Sequence, residues 1–111
     1  MKIENKLKEF VLDIYKIKYP NEEKFGIQSQ IRRSSLSILL NIVEGNGRQT
    51  KKDYLNFCYM AKGSLFETMT LLNISYELNY LENPFYNLLV SDLIEVNKML
   101  YGLINYLKSK I

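Results

Sequence analysis

Apolar side chains recur at spacings of three and four along nearly the whole chain, the interval that places them on one side of an α-helix. In the first segment, residues 3–18, Ile3, Leu7, Phe10, Ile14 and Ile17 share a face and Lys and Glu take the other. Pro20 ends that segment because its ring cannot continue a helix, and Asn21 offers a cap for the next element. A second helix is expected from just after Gly26 to about Gly45, where Gly45-Asn46-Gly47 supplies backbone freedom for a turn. Thr50-Lys51-Lys52-Asp53, a variant of the capping box, opens a third helix running from Lys51 to about Leu81. Asn83 as cap and Pro84 at the first helical position open a fourth, ending near Lys108. No stretch sustains the period-two alternation of a half-buried strand, so the fold class is all-α. Short connections favour antiparallel neighbours, which predicts one domain over residues 1–111, an up-down-up-down four-helix bundle. The third helix, about 45 Å long at about 1.5 Å per residue, is its spine.

The apolar pattern wraps further round these helices than one small bundle can hide. On the second helix Leu36, Leu39, Leu40 and Val43 lie away from the stripe of Ile27, Ile31, Ile38 and Ile42. The fourth carries Leu88, Val90, Ile94 and Ile104 beside Leu89, Leu93, Val96, Leu100, Leu103 and Leu107. A monomer exposing that surface would associate nonspecifically, so a homo-oligomer is expected. Nine tyrosines suit subunit contacts, where the ring is buried and the hydroxyl keeps a polar partner; stacking on bases is the rival use. Gly63, inside the third helix near Ala61, Ser64 and Thr68, allows close approach of either a neighbouring helix or another subunit.

Composition removes several chemistries. The chain has no histidine, so His-based acid–base catalysis, a Cys–His pair and most zinc sites drop out. The single cysteine, Cys58, excludes an internal disulfide, and between Phe57 and Tyr59 it reads as a small buried hydrophobe. Neither a signal peptide nor a run of about 18 apolar residues is present, which makes a cytoplasmic setting the expectation and a membrane partner not expected. Glu44 and Glu67 could pair as carboxylates, but without a Glu-x-x-His motif nothing supports a di-iron bundle; no metal, cofactor or catalytic residue is expected.

Charge is more informative by position than by sum. The net charge is +3, yet residues 1–62 carry 12 basic and 7 acidic groups whereas residues 63–111 carry 3 and 5, so the halves differ in sign. Between residues 24 and 62, seven cations face only Glu44 and Asp53, which predicts a basic surface. Arg48, Lys51, Lys52 and Lys62 are the candidate nucleic-acid-binding residues; the first three cluster at an exposed turn where long cationic side chains can reach phosphates. A solvated charged turn is the plainer alternative. Within the second helix Arg33, Ser37, Asn41, Glu44 and Arg48 form a narrow polar stripe opposite the isoleucines. Arg33, Asn41, Glu44 and Glu67 are therefore expected to form a partly buried polar network, within one subunit or between two, with Arg32 reaching a different environment. On that expectation Glu44→Ala would cost about 3 kcal/mol by stranding an arginine.

Several of these residues also form a family pattern. Glu23-Lys24-Phe25-Gly26-Ile27, Ser29-Gln30-Ile31-Arg32-Arg33-Ser34-Ser35, Ser37-Ile38, Asn41-Ile42-Val43-Glu44-Gly45, Gly47-Arg48 and Ala61-Lys62-Gly63-Ser64-Leu65-Phe66-Glu67 resemble the signature of the 23S rRNA intervening-sequence protein family. The resemblance extends from about Phe10 to Leu81 and departs from the commoner pattern at Leu39, often proline, and Val43, usually alanine. It implies a four-helix bundle assembled as a homopentameric ring. The chain is more distantly similar to the accessory variability determinant protein of diversity-generating retroelements, a basic pentameric barrel that works with nucleic acid. The sequence thus points to a non-enzymatic oligomer that binds RNA or DNA weakly and without sequence preference, or associates with a ribonucleoprotein. The alternative is a scaffold that docks a protein partner and binds no nucleic acid.

Overall fold

The computed structural model describes residues 2–111 and, among them, holds four α-helices and no strand: α1 Lys2–Ile14, α2 Ile27–Asn46, α3 Lys51–Glu77 and α4 Asn83–Ser109. Each helix packs on its neighbours in sequence and α1 closes onto α4, giving a bundle about 45 Å long. Leu7, Phe10, Ile14, Ile31, Ile38, Ile42, Leu72, Leu89, Leu93 and Leu100 fill the centre, so the three-and-four spacing delivers the apolar faces inward. Lys6 ties α1 to α4 through Asp92 (3.0 Å) and Glu95 (3.2 Å), and these bonds hold its ammonium above the usual lysine range.

α1 and α3 end earlier than expected, each for a local reason, while the other bounds fall within about a residue of the expected ones. α1 stops at Ile14 rather than at residue 18, and the chain then extends so that Ile17 and Tyr19 reach the core ahead of Pro20. Asn21 caps nothing: it begins a single 3₁₀ turn, Asn21–Glu23, whose N-cap is Pro20. α3 ends at Glu77 because Asn79 adopts the left-handed conformation at φ 64°, with Tyr80 N–H donating to Ser75 O and Asn79 N–H to Tyr76 O. That is a Schellman ending with asparagine in glycine's usual place, and it shortens the spine to about 40 Å. Thr50 caps α3 as expected, its hydroxyl accepting from Asp53 N–H at 3.1 Å. At α4 the cap position falls on Glu82 without a side-chain bond, while Asn83 Oδ1 accepts from the Tyr76 hydroxyl.

Two glycines exchange the roles expected of them. Gly45 lies buried inside α2, where an added Cβ would meet Phe57 Cβ and Tyr54 Cδ1 at 2.8 Å, so it serves close approach of α2 to α3 rather than the turn. A Cβ added at the exposed Gly63 would meet nothing within 4 Å beyond its own helix turn, so packing within the chain does not account for this glycine. Leu39, expected on the outward surface, is buried in the core. Leu40, Val43, Leu88 and Ile94 are each about half exposed, as are Tyr59, Met60 and Phe66 on α3.

Candidate nucleic-acid interface

Antiparallel pairing sets the start of α3 beside the end of α4. Arg48 and Lys51 there share an open hollow of about 290 Å³ with Asn46, Gln49, Thr50, Tyr54, Tyr106 and Leu107. Tyr106 is half exposed, and Lys51 Nζ and Lys110 Nζ lie 5.8 and 5.7 Å from its ring centroid. Two ammonium groups thus lie near one ring at a distance where ring and cation attract. Lys52, next to Lys51, is exposed. Arg48 is anchored rather than free: Nη2 bonds Glu44 Oε1 at 2.7 Å, and the guanidinium lies 4.7 Å over Phe57. Both partners of that ion pair are about half exposed and four residues apart, so breaking it costs only about 0.3–0.5 kcal/mol. Lys62 stands apart, 11 residues further along α3 and about 16 Å from Lys51, with Nζ 5.9 Å from the Phe66 ring.

The polar stripe of α2 divides. Ser37 reaches α3, its Oγ 2.9 Å from Ser64 Oγ, and Asn41 Nδ2 bonds back along α2, donating to Ser37 O and Oγ at 2.9 and 3.2 Å. Arg33, Glu44 and Glu67 face solvent. Within one chain the four residues named as a network do not meet: Glu44 takes Arg48, Asn41 takes Ser37, and neither Arg33 nor Glu67 has an ion partner among the described residues. The physical reason is register, since Glu44 and Arg48 lie one turn apart whereas Arg33 is eleven residues, about 16 Å, away. Arg32 does occupy other surroundings, its Nη2 donating to Tyr15 O at 3.3 Å and its guanidinium 4.6 Å over the Tyr15 ring.

Sequence reasoning missed a buried hydroxyl seam in which Thr68 Oγ1 donates to Ser34 Oγ at 2.8 Å, and Tyr19 and Ser75 share a bond at 2.7 Å. It also left Tyr106 and Lys110 out of the basic cluster. The expected pairing of the third helix's start with the fourth helix's end was the signal that would have joined them. Cys58 is fully buried, and burial pushes its thiol up to about 11, opposite to an activated nucleophile. Among the described residues no group of three His, Cys, Asp or Glu side chains comes together to hold a metal, and no helix is long and apolar enough to cross a membrane.

Fold and site define a small all-α four-helix-bundle protein with a basic, tyrosine-bearing end. The chain belongs to the 23S rRNA-intervening sequence protein family, whose sequence profile matches residues 1–102. It is similar to a solved structure, a protein of unknown function from the S23 ribosomal protein family of Bacteroides thetaiotaomicron. The two share 30% identity and a TM-score of 0.83, over 92% of this chain and 97% of the other. No curated protein matches the chain. Neither the family description nor that structure carries an activity.

Proposed function

We propose that the protein is a non-enzymatic, oligomeric nucleic-acid-binding factor that engages phosphate backbones through the end of the bundle bearing Arg48, Lys51 and Lys52. The observation that carries this reading is the half-exposed Tyr106 ring with Lys51 and Lys110 both within 6 Å of its centroid, in the hollow that Arg48 also lines. Cations next to an accessible aromatic face serve a single strand well, since phosphates meet the charges and a base stacks on the ring. Such contacts position a strand without reading its sequence. The family's association with 23S rRNA points the same way. Five copies, the number implied by the family resemblance, would repeat the modest charge of one chain around a ring and make a multivalent field. The half-exposed Leu40, Val43, Tyr59, Met60 and Phe66, together with the unexplained Gly63, are the surface that assembly would cover.

The test is equilibrium binding to single-stranded RNA and DNA with native protein and with Arg48→Glu/Lys51→Glu/Lys52→Glu. Native protein is expected to bind both strands at low salt, and the variant to stay helical and assembled while losing binding. The exposed apolar residues favour a second reading, a protein-docking scaffold. Absence of native binding at low salt, or equal binding by the variant, would make that the better account.

A further inference from the structure

At the opposite end of α2 from the Arg48 turn lies a second basic hollow. A groove of about 490 Å³ is lined by Tyr15, Lys24, Phe25, Gln28, Ser29, Arg32, Arg33 and Leu36, and no carboxylate is among them. Glu23, beside Lys24 in the chain, is already engaged: Oε1 accepts from Ile27 N–H at 3.3 Å and Oε2 from the Tyr80 hydroxyl at 2.9 Å. Three cations thus face the groove without an anionic partner among the residues that line it.

Part of the donor capacity there is unused. Arg32 is held by Tyr15, yet its buried Nε has no acceptor. The N-cap of α2 is Gly26, which offers no side chain; Ile27 N–H donates to Glu23 Oε1 and Gln30 N–H to Gly26 O at 3.0 Å. The intervening N–H groups of Gln28 and Ser29 have no acceptor among the described residues. Arg33 is exposed and has no ion pair among the described residues. At the lip, Phe25 is 88% exposed, with the Lys24 ammonium 5.6 Å from its ring centroid. A single carboxylate would leave two of the three cations unmatched, whereas a phosphate monoester is close to dianionic at neutral pH and has three acceptor oxygens. A bare aromatic ring at the lip adds a stacking surface.

We infer that this groove binds a phosphate monoester bearing an aromatic ring, the chemistry of a nucleoside 5′-phosphate. The phosphate sits among Lys24, Arg32, Arg33 and Ser29, and the base stacks on Phe25. A free mononucleotide and the 5′-phosphorylated end of a strand share that chemistry. The site is about 22 Å along α2 from Arg48, so it stands or falls separately from the backbone-binding end.

Calorimetric titration with adenosine 5′-monophosphate, inorganic phosphate and adenosine tests the inference. The monophosphate should bind at least tenfold more tightly than phosphate, and adenosine should not saturate. Arg33→Gln, at a position with no ion partner to lose, should weaken monophosphate binding at least tenfold with an unchanged melting curve. Phe25→Ala should remove the advantage over inorganic phosphate. Arg48→Glu/Lys51→Glu/Lys52→Glu should bind the monophosphate as the native protein does. Titration with 5′-phosphorylated and 5′-hydroxyl trinucleotides separates the sources: preference for the phosphorylated strand supports strand-end recognition, and binding of the mononucleotide alone supports a free nucleotide. Absence of saturable monophosphate binding at millimolar concentration, equal binding by Arg33→Gln, or loss in the turn variant would overturn it.

Discussion

Gly45 and Gly63 make opposite demands on a single methyl group. At Gly45 it would strike Tyr54 and Phe57, so Gly45→Ala should cost about 1–3 kcal/mol by overpacking. Gly63→Ala meets open space and should gain up to about 1 kcal/mol of helix propensity in the monomer. Urea denaturation of both variants checks the pair, and a Gly63→Ala protein that is more stable yet fails to assemble would place this glycine at a subunit contact. Glu44→Ala should lower stability by only about 0.5 kcal/mol, not the 3 kcal/mol or so of a stranded buried arginine, because the Arg48 pair is exposed. Burial raises the Cys58 thiol from 9.0 to about 11 and the Tyr54 phenol from 10.0 to about 12. Both groups fold with their protons kept, so their contribution is complete below pH 9 and is lost as pH rises through the folded values; for Cys58 it is on the order of 2 kcal/mol. The melting temperature should therefore fall between about pH 9 and 11, and Cys58→Ala should flatten that fall.

At the scale of elements, the helices and most of their ends were readable from spacing and turn residues, whereas the ends of α1 and α3 were not. Ile31, Ile38 and Ile42 are fully buried, as a 3.6-residue period requires. The same pattern could not show that α3 stops at Glu77, because that depends on Asn79 accepting a left-handed backbone that its amino-acid type only permits. Asn79→Ala should cost about 1 kcal/mol in a denaturation titration and Asn79→Gly should not. Thr50, legible as a cap, should cost about 1 kcal/mol when changed to alanine. The basic turn was legible for the same reason: Arg48, Lys51 and Lys52 are close together in sequence. Lys110 and Tyr106 join it only through the packing of α4 on α3, a long-range contact with no local signature. Arg33 and Glu44 share a helical stripe on a wheel projection, which discards the 16 Å or so of rise between them.

For the whole molecule, the antiparallel order of the helices turns a difference between sequence halves into spatial features. Arg48 and Lys51 meet Lys110 and Tyr106 at one end, while Lys24, Arg32 and Arg33 gather at the start of α2. Between these ends the half-exposed Leu40, Val43, Tyr59, Met60 and Phe66 leave the bundle with apolar surface to cover. Light scattering on the native protein should give a mass several times that of the 13.1 kDa chain. The most direct measurement of the central claim is a titration of the native protein with single-stranded RNA at several salt concentrations. Three cations engaged per chain predict log K falling against log salt with a slope of about −2 per bound protomer, steeper as more protomers share a strand. A binding constant indifferent to salt between low and physiological concentration would contradict a phosphate-binding end.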